Sequence, residues 1–127
     1  MKRILIIDDD PDIVELVKTR LQQNSYHVIC AANGKEGLKK ARKETPDLIL
    51  MDIMMPRMTG GDAVKMLQDY DTTKNIPVIF LTAVASPKSP TGEENQGINV
   101  GGEHFPALGK PFDSEDLLSV VRRHLPS

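Results

Sequence analysis

The sequence predicts a single α/β domain built on an open parallel sheet with crossover helices, and three observations carry that prediction. Short β-branched or leucine-rich runs alternate with amphipathic stretches along the chain. Two of those runs, Ile4-Leu5-Ile6-Ile7 and Leu48-Ile49-Leu50-Met51, are apolar throughout, as expected of strands covered on both faces. Finally, 127 residues that are 39% apolar and 27% charged suffice for one core and are too few for two.

The elements follow in order. The first strand ends abruptly at Asp8-Asp9-Asp10. Pro11 then suits a first helical position with Asp10 as its N-cap, and Ile13, Val14, Val17 and Leu21 recur at helical spacing. His27 to Ala31 reads as the second strand. Asn33-Gly34 opens a Lys-rich helix whose apolar side is Leu38 and Ala41, ended by Pro46. The third strand, Leu48 to Met51, again runs into an aspartate, Asp52. A loop rich in Met, Pro and Gly leads to Gly61, and Ala63, Leu67 and Tyr70 suggest a third helix. Pro77 to Leu81 is the fourth strand, followed by Thr82-Ala83. A short fifth strand lies near Ala107 to Gly109, just before Lys110-Pro111-Phe112. The last helix starts near Asp113-Ser114 and buries Leu117, Leu118, Val121 and Leu125. The stretch from Val84 to Pro106 holds three prolines and four glycines. An interior proline costs a helix about 3 kcal/mol and a glycine about 1 kcal/mol, so this crossover is expected to be largely non-helical.

Composition narrows the function classes. No apolar run approaches the roughly 20 residues of a membrane-spanning helix, and no secretory signal is legible. One cysteine, Cys30, allows neither an internal disulfide nor a zinc cluster and fits a small core residue in a reducing cytoplasm. Sixteen basic and eighteen acidic residues offer no basic surface for a phosphate backbone, so neither direct nucleic-acid binding nor membrane insertion is expected.

In an open parallel sheet the ligand site lies outside the carboxyl ends of the strands. Those ends carry Asp8 and Asp9, Asp52, Thr82 and, after the fifth strand, Lys110. Three carboxylates in one cleft repel one another, so a cation belongs there. Carboxylates, a backbone carbonyl and waters suit Mg²⁺, whereas zinc would ask for His or Cys. A carboxylate beside Mg²⁺ and a lysine ammonium can attack a phosphoryl group to give an aspartyl phosphate. The Thr82 hydroxyl could donate to a phosphoryl oxygen, which would make its position depend on phosphorylation.

These motifs taken jointly resemble the receiver domains of bacterial two-component response regulators. The acidic pair after the first strand, Asp52-Ile53-Met54-Met55-Pro56 with Gly60, Leu81-Thr82-Ala83 and Lys110-Pro111-Phe112 occur in the family's order, and the likeness spans essentially residues 1–127. The resemblance implies a doubly wound five-stranded sheet in the flavodoxin-like order 2-1-3-4-5. It implies that Asp52 is the phosphoacceptor and that Asp8 and Asp9 hold Mg²⁺ together with Asp52 and the Met54 carbonyl. Thr82 becomes the switch hydroxyl and Lys110 the phosphoryl contact. A sensor histidine kinase or phosphotransfer protein would be the donor, and a downstream protein would read the state. The family usually places an aromatic residue three positions before the lysine, where this chain has Ala107, with Phe105 two positions earlier.

The leading expectation is therefore a phosphorylation-controlled signalling module, a binding protein rather than a turnover enzyme. An aspartate-nucleophile phosphatase normally has a second aspartate two positions after the nucleophile, where this chain has Met54. A nucleotide switch would need a G-x-x-x-x-G-K-[ST] loop after the first strand, and none follows. No DNA-binding or catalytic output domain fits beside the receiver in 127 residues. The chain is expected either to dock to partners alone or to be the receiver part of a longer protein. The stretch from Val84 to Pro106, beginning two residues after Thr82, is expected to carry the readout.

Overall fold

Among the described residues, each helix begins on a short polar side chain that satisfies an otherwise orphaned backbone N–H. In the computed structural model, which describes every residue except Pro56, 83–97, Gly101 and Ser127, helix α1 (Pro11–Gln23) starts on Asp10, whose carboxylate accepts from the Asp12 N–H at 2.9 Å. Helix α2 (Gly34–Glu44) starts on Asn33, which accepts from the Glu36 N–H at 2.8 Å. Helix α3 (Gly60–Gln68) has a capping box between Thr59 and Asp62. Helix α4 (Ser114–His124) starts on Asp113, which accepts from the Asp116 N–H at 2.8 Å. Each such cap is worth about 1 kcal/mol. At its far end α2 stops on Thr45, in the left-handed region at φ 41°, immediately before Pro46.

The strands are β1 (Arg3–Ile7), β2 (His27–Ala31), β3 (Leu48–Asp52), β4 (Val78–Thr82), β5 (Ile98–Val100), β6 (Glu103–Phe105) and β7 (Ala107–Gly109). Five of them form one parallel sheet in the spatial order β2-β1-β3-β4-β7. This is the expected 2-1-3-4-5 arrangement, with β7 as the fifth strand. The continuous apolar runs are explained by burial on both faces. Leu5, Ile7, Ile49, Met51 and Phe80 pack with α2 and α3, while Ile4, Ile6, Leu48, Leu50, Ile79 and Leu81 pack with α1 and α4. Two half-cores thus clamp the central strands and hold all their carboxyl ends at one edge.

Several local expectations need correction. The fourth strand begins at Val78 and includes Thr82, because Pro77 has no N–H to give the ladder. Tyr70 lies beyond α3 and is 44% exposed, since the helix ends at Gln68 and Thr73 caps it by donating its hydroxyl to Leu67 O at 2.6 Å. In α4 the buried residues are Leu117, Val120 and Val121, while Leu118 and the C-cap residue Leu125 are only partly covered. Cys30 is half-buried on the edge strand β2, where burial pushes its thiol up despite Lys18 and Lys40 nearby.

The fourth crossover holds an element that the sequence reading did not anticipate. β5 and β6 form an antiparallel hairpin, with Ile98 opposite Phe105 and Val100 opposite Glu103. The described part of the segment is therefore non-helical, while the stretch 83–97, with Pro87 and Pro90, lies outside the described residues. The Gly101-Gly102 pair between two short runs is the hairpin signal, and Gly102 takes φ +84°. Among the described residues no helix is long and apolar enough to cross a membrane.

Gly60, the first residue of α3, sits where no side chain fits. A β-carbon there would lie 2.8 Å from Phe80 Cε1, 2.9 Å from the Asp52 carbonyl oxygen and 3.0 Å from Ile53 Cα. Two of these neighbours are backbone and the third is a fully buried ring, so none yields cheaply. Gly60→Ala is expected to cost about 1–3 kcal/mol of stability, read as a lower urea midpoint with an unchanged slope. A wild-type midpoint would show that the β3–α3 junction relaxes freely.

Candidate functional site

The strand ends gather the anticipated side chains at one edge. Asp8 follows β1 and is 1% exposed. Its N–H donates to Ala31 O at 3.1 Å, its Oδ1 accepts from the Asp10 N–H at 2.9 Å, and its Oδ2 accepts from Lys110 Nζ at 2.9 Å. Asp9, the next residue, is exposed. Asp52 closes β3 at 7% exposure. Its Oδ1 lies 3.6 Å from Lys110 Nζ and accepts from the Met54 N–H at 3.3 Å. Asp8, Asp9 and Asp52 each offer a carboxylate oxygen within 4.8 Å of the other two. The sequence separates the acidic pair from Asp52 by more than forty positions; the β1–β3 pairing brings them together, and the β4–β7 pairing brings up Lys110.

The electrostatics follow from crowding. Burial, then the charge of Asp8, pushes the Asp52 carboxyl up from 3.8 to about 6; Lys110 and the Met54 N–H pull the other way, and Asp9 adds to the rise. For Lys110 burial alone lowers the ammonium's pKa. Its bond to Asp8 and the charges of Asp8, Asp52 and Asp10 outweigh burial, so the net direction is up and the ammonium stays charged. One lysine thus faces three carboxylates, which leaves the cluster with surplus negative charge. The donor set is oxygen throughout, which fits a hard divalent cation and not zinc.

Thr82 ends β4, is 1% exposed, and lies in register with Gly109. Its carbonyl accepts the Lys110 N–H at 2.8 Å, so the threonine and the lysine are set by one ladder. Met54 is 67% exposed at the rim of the same edge. All six candidate residues therefore share one end of the sheet. The feature missed by sequence reasoning is aromatic: Phe105 on β6 packs edge-on against Phe80. The signal for the hairpin that carries it was the Gly-Gly pair in the sequence between the two short runs.

Comparison with known proteins agrees with this geometry. The family model described as "Response regulator receiver domain" matches residues 4–122. The DNA-binding dual master transcriptional regulator RpaA of Synechocystis is 39% identical over 96% of this chain, which covers 48% of RpaA. Protein PilH of Pseudomonas aeruginosa is 36% identical, with 95% of both chains covered. The chain thus spans about half the length of RpaA and nearly all of PilH. Among solved structures, the chemotaxis protein CheY4 of Vibrio cholerae superposes with a TM-score of 0.84 at 34% identity, covering 98% of this chain and 99% of that one. With the matched model covering both half-cores and every strand end that builds the acidic cleft, this chain belongs to the receiver-domain family of two-component response regulators, the modules of phosphorylation-based signalling.

Proposed function

We propose that this chain, as one receiver module, accepts a phosphoryl group on Asp52 from a phosphohistidine of a sensor histidine kinase or phosphotransfer protein in the cytoplasm, and that the modified form binds a downstream protein differently. The observation that carries this reading is the placement of Lys110 Nζ 2.9 Å from Asp8 and 3.6 Å from Asp52 inside the three-carboxylate cluster. Asp8, Asp9, Asp52 and the Met54 carbonyl are the groups that would hold Mg²⁺. When bound, the ion would supply positive charge that offsets the carboxylates and the incoming phosphoryl oxygens.

The chain's own groups then have distinct tasks. Even without metal, a carboxyl near 6 is mostly ionised at neutral pH, so Asp52 has a free lone pair for attack. In the transfer a bond forms between an Asp52 carboxylate oxygen and phosphorus while the phosphorus–nitrogen bond of the donor breaks. The departing imidazole keeps that electron pair and picks up a proton. Lys110, held by Asp8, stands beside the attacking carboxylate and would neutralise a phosphoryl oxygen. The Thr82 hydroxyl would donate to another and so register the modification.

Intact-mass measurement after incubation with a small acyl phosphate and Mg²⁺ tests the reading. One base-labile phosphoryl adduct per chain is expected, and none when a chelator removes the metal. Sustained phosphate release without an adduct would instead favour phosphatase chemistry.

A further inference from the structure

We propose that Phe105, carried by the β5–β6 hairpin, is a positioning residue for Asp52 that acts through Phe80 and Gly60; this rests on Asp52 being the phosphoacceptor. Contacts form an unbroken path. Phe105 is 7% exposed and meets Phe80 edge-to-face, with ring centroids 5.7 Å apart and planes at 77°. Phe80 is fully buried, and its Cε1 lies 2.8 Å from where a β-carbon of Gly60 would sit, so the ring rests on the Gly60 backbone. That same point is 2.9 Å from the Asp52 carbonyl oxygen, and the Gly60 N–H donates to Ile53 O at 2.7 Å. The peptide bearing the phosphoacceptor therefore abuts Gly60, Gly60 abuts Phe80, and Phe80 abuts a ring that belongs to the hairpin.

The hairpin also approaches the start of α3 directly, where Val100 side-chain carbons lie 3.9 and 4.0 Å from the position a β-carbon of Gly61 would take. Close-packed interiors transmit displacement because no void absorbs it. Removing the Phe105 ring lets Phe80 withdraw from Gly60 and frees the Asp52 peptide to wander. A small misplacement of a reacting group can cost one to two orders of magnitude in rate. The route is separate from Lys110 and the acidic pair, which β7 and β1 position. The Asp8–Lys110 contact therefore keeps its place, whereas Asp52, itself one of the groups that would hold Mg²⁺, loses its fixed position.

The test measures the rate of acyl-phosphate labelling at saturating donor and Mg²⁺ for wild type, Phe105→Ala, Phe105→Leu and Phe105→Tyr, with Mg²⁺ titrated separately. Phe105→Ala and Phe105→Leu are expected to lower the saturating rate about tenfold and also to raise the Mg²⁺ concentration at half-saturation, because Asp52 is one of the groups that would hold the ion. Phe105→Tyr, which keeps the ring, should return the rate to near wild type. A wild-type rate in Phe105→Leu, or a rate in Phe105→Tyr as low as in Phe105→Leu, would overturn the proposal. If Phe105→Ala does not fold, Phe105→Leu, which keeps the site filled with apolar volume, carries the test. Failure of the wild-type chain to take any phosphoryl group would refute the phosphoacceptor reading, and this inference with it.

Discussion

Asp52→Asn is expected to abolish labelling by the acyl phosphate and, in the same protein without metal, to raise stability. The amide has no anionic lone pair with which to attack phosphorus. The stability gain comes from the native carboxyl, which burial and Asp8 push up from 3.8 to about 6. Between those pH values the folded chain holds a proton on Asp52 that the unfolded chain has released. Wild-type stability therefore falls as pH rises through that window, and the asparagine variant escapes the fall. A shift of that size corresponds to about 3 kcal/mol at full value, and water in the open cleft reduces the expected gain to about 1–2 kcal/mol at pH 7. At pH 4 most of the advantage should disappear. Mass spectrometry reads the first effect and denaturant melts at the two pH values read the second. Equal labelling of both proteins would remove Asp52 from the role assigned to it.

The next largest effect belongs to the acidic pair. Asp9→Ala should weaken Mg²⁺ binding by more than about tenfold, because it removes one oxygen ligand and one unit of the negative potential that holds the ion. Asp12→Ala should leave it nearly unchanged. Asp12 lies in the first turn of α1, where a carboxylate complements the helix dipole by a few tenths of a kcal/mol, and it is absent from the three-carboxylate cluster. Calorimetric titration of the two variants shows the contrast. Matching affinities in Asp9→Ala and wild type would exclude Asp9 as a ligand.

The central strands of the parallel sheet were legible in the amino-acid sequence, because their signals are local and strong. Ile4 to Ile7 and Leu48 to Met51 are legible as strands covered on both faces, and they proved fully buried. The caps Asp10, Asn33 and Asp113 are legible because a short oxygen-bearing side chain ahead of an amphipathic run has one favourable use. The candidate residues were legible because a parallel sheet exposes its chemistry where apolar strands end in Asp8, Asp52 and Thr82. Helix ends such as that of α3 were less legible, because Tyr70 keeps the apolar rhythm while the Thr73 hydroxyl ends the helix from outside that rhythm.

Which contacts those residues make depends on how distant segments pack together. Lys110 reaches Asp8 across 102 positions of sequence, and no local pattern states that its ammonium lies nearer Asp8 than Asp52. The rise of the Asp52 carboxyl likewise needs both burial and the Asp8 charge, and their size depends on packing distances that no local pattern states. The β5–β6 hairpin is the clearest case. Its strands are three residues each, too short for periodicity to register. Phe105 gains its meaning only when β6 brings its ring onto Phe80, since whether an aromatic side chain is a surface residue or a strut depends on what packs against it.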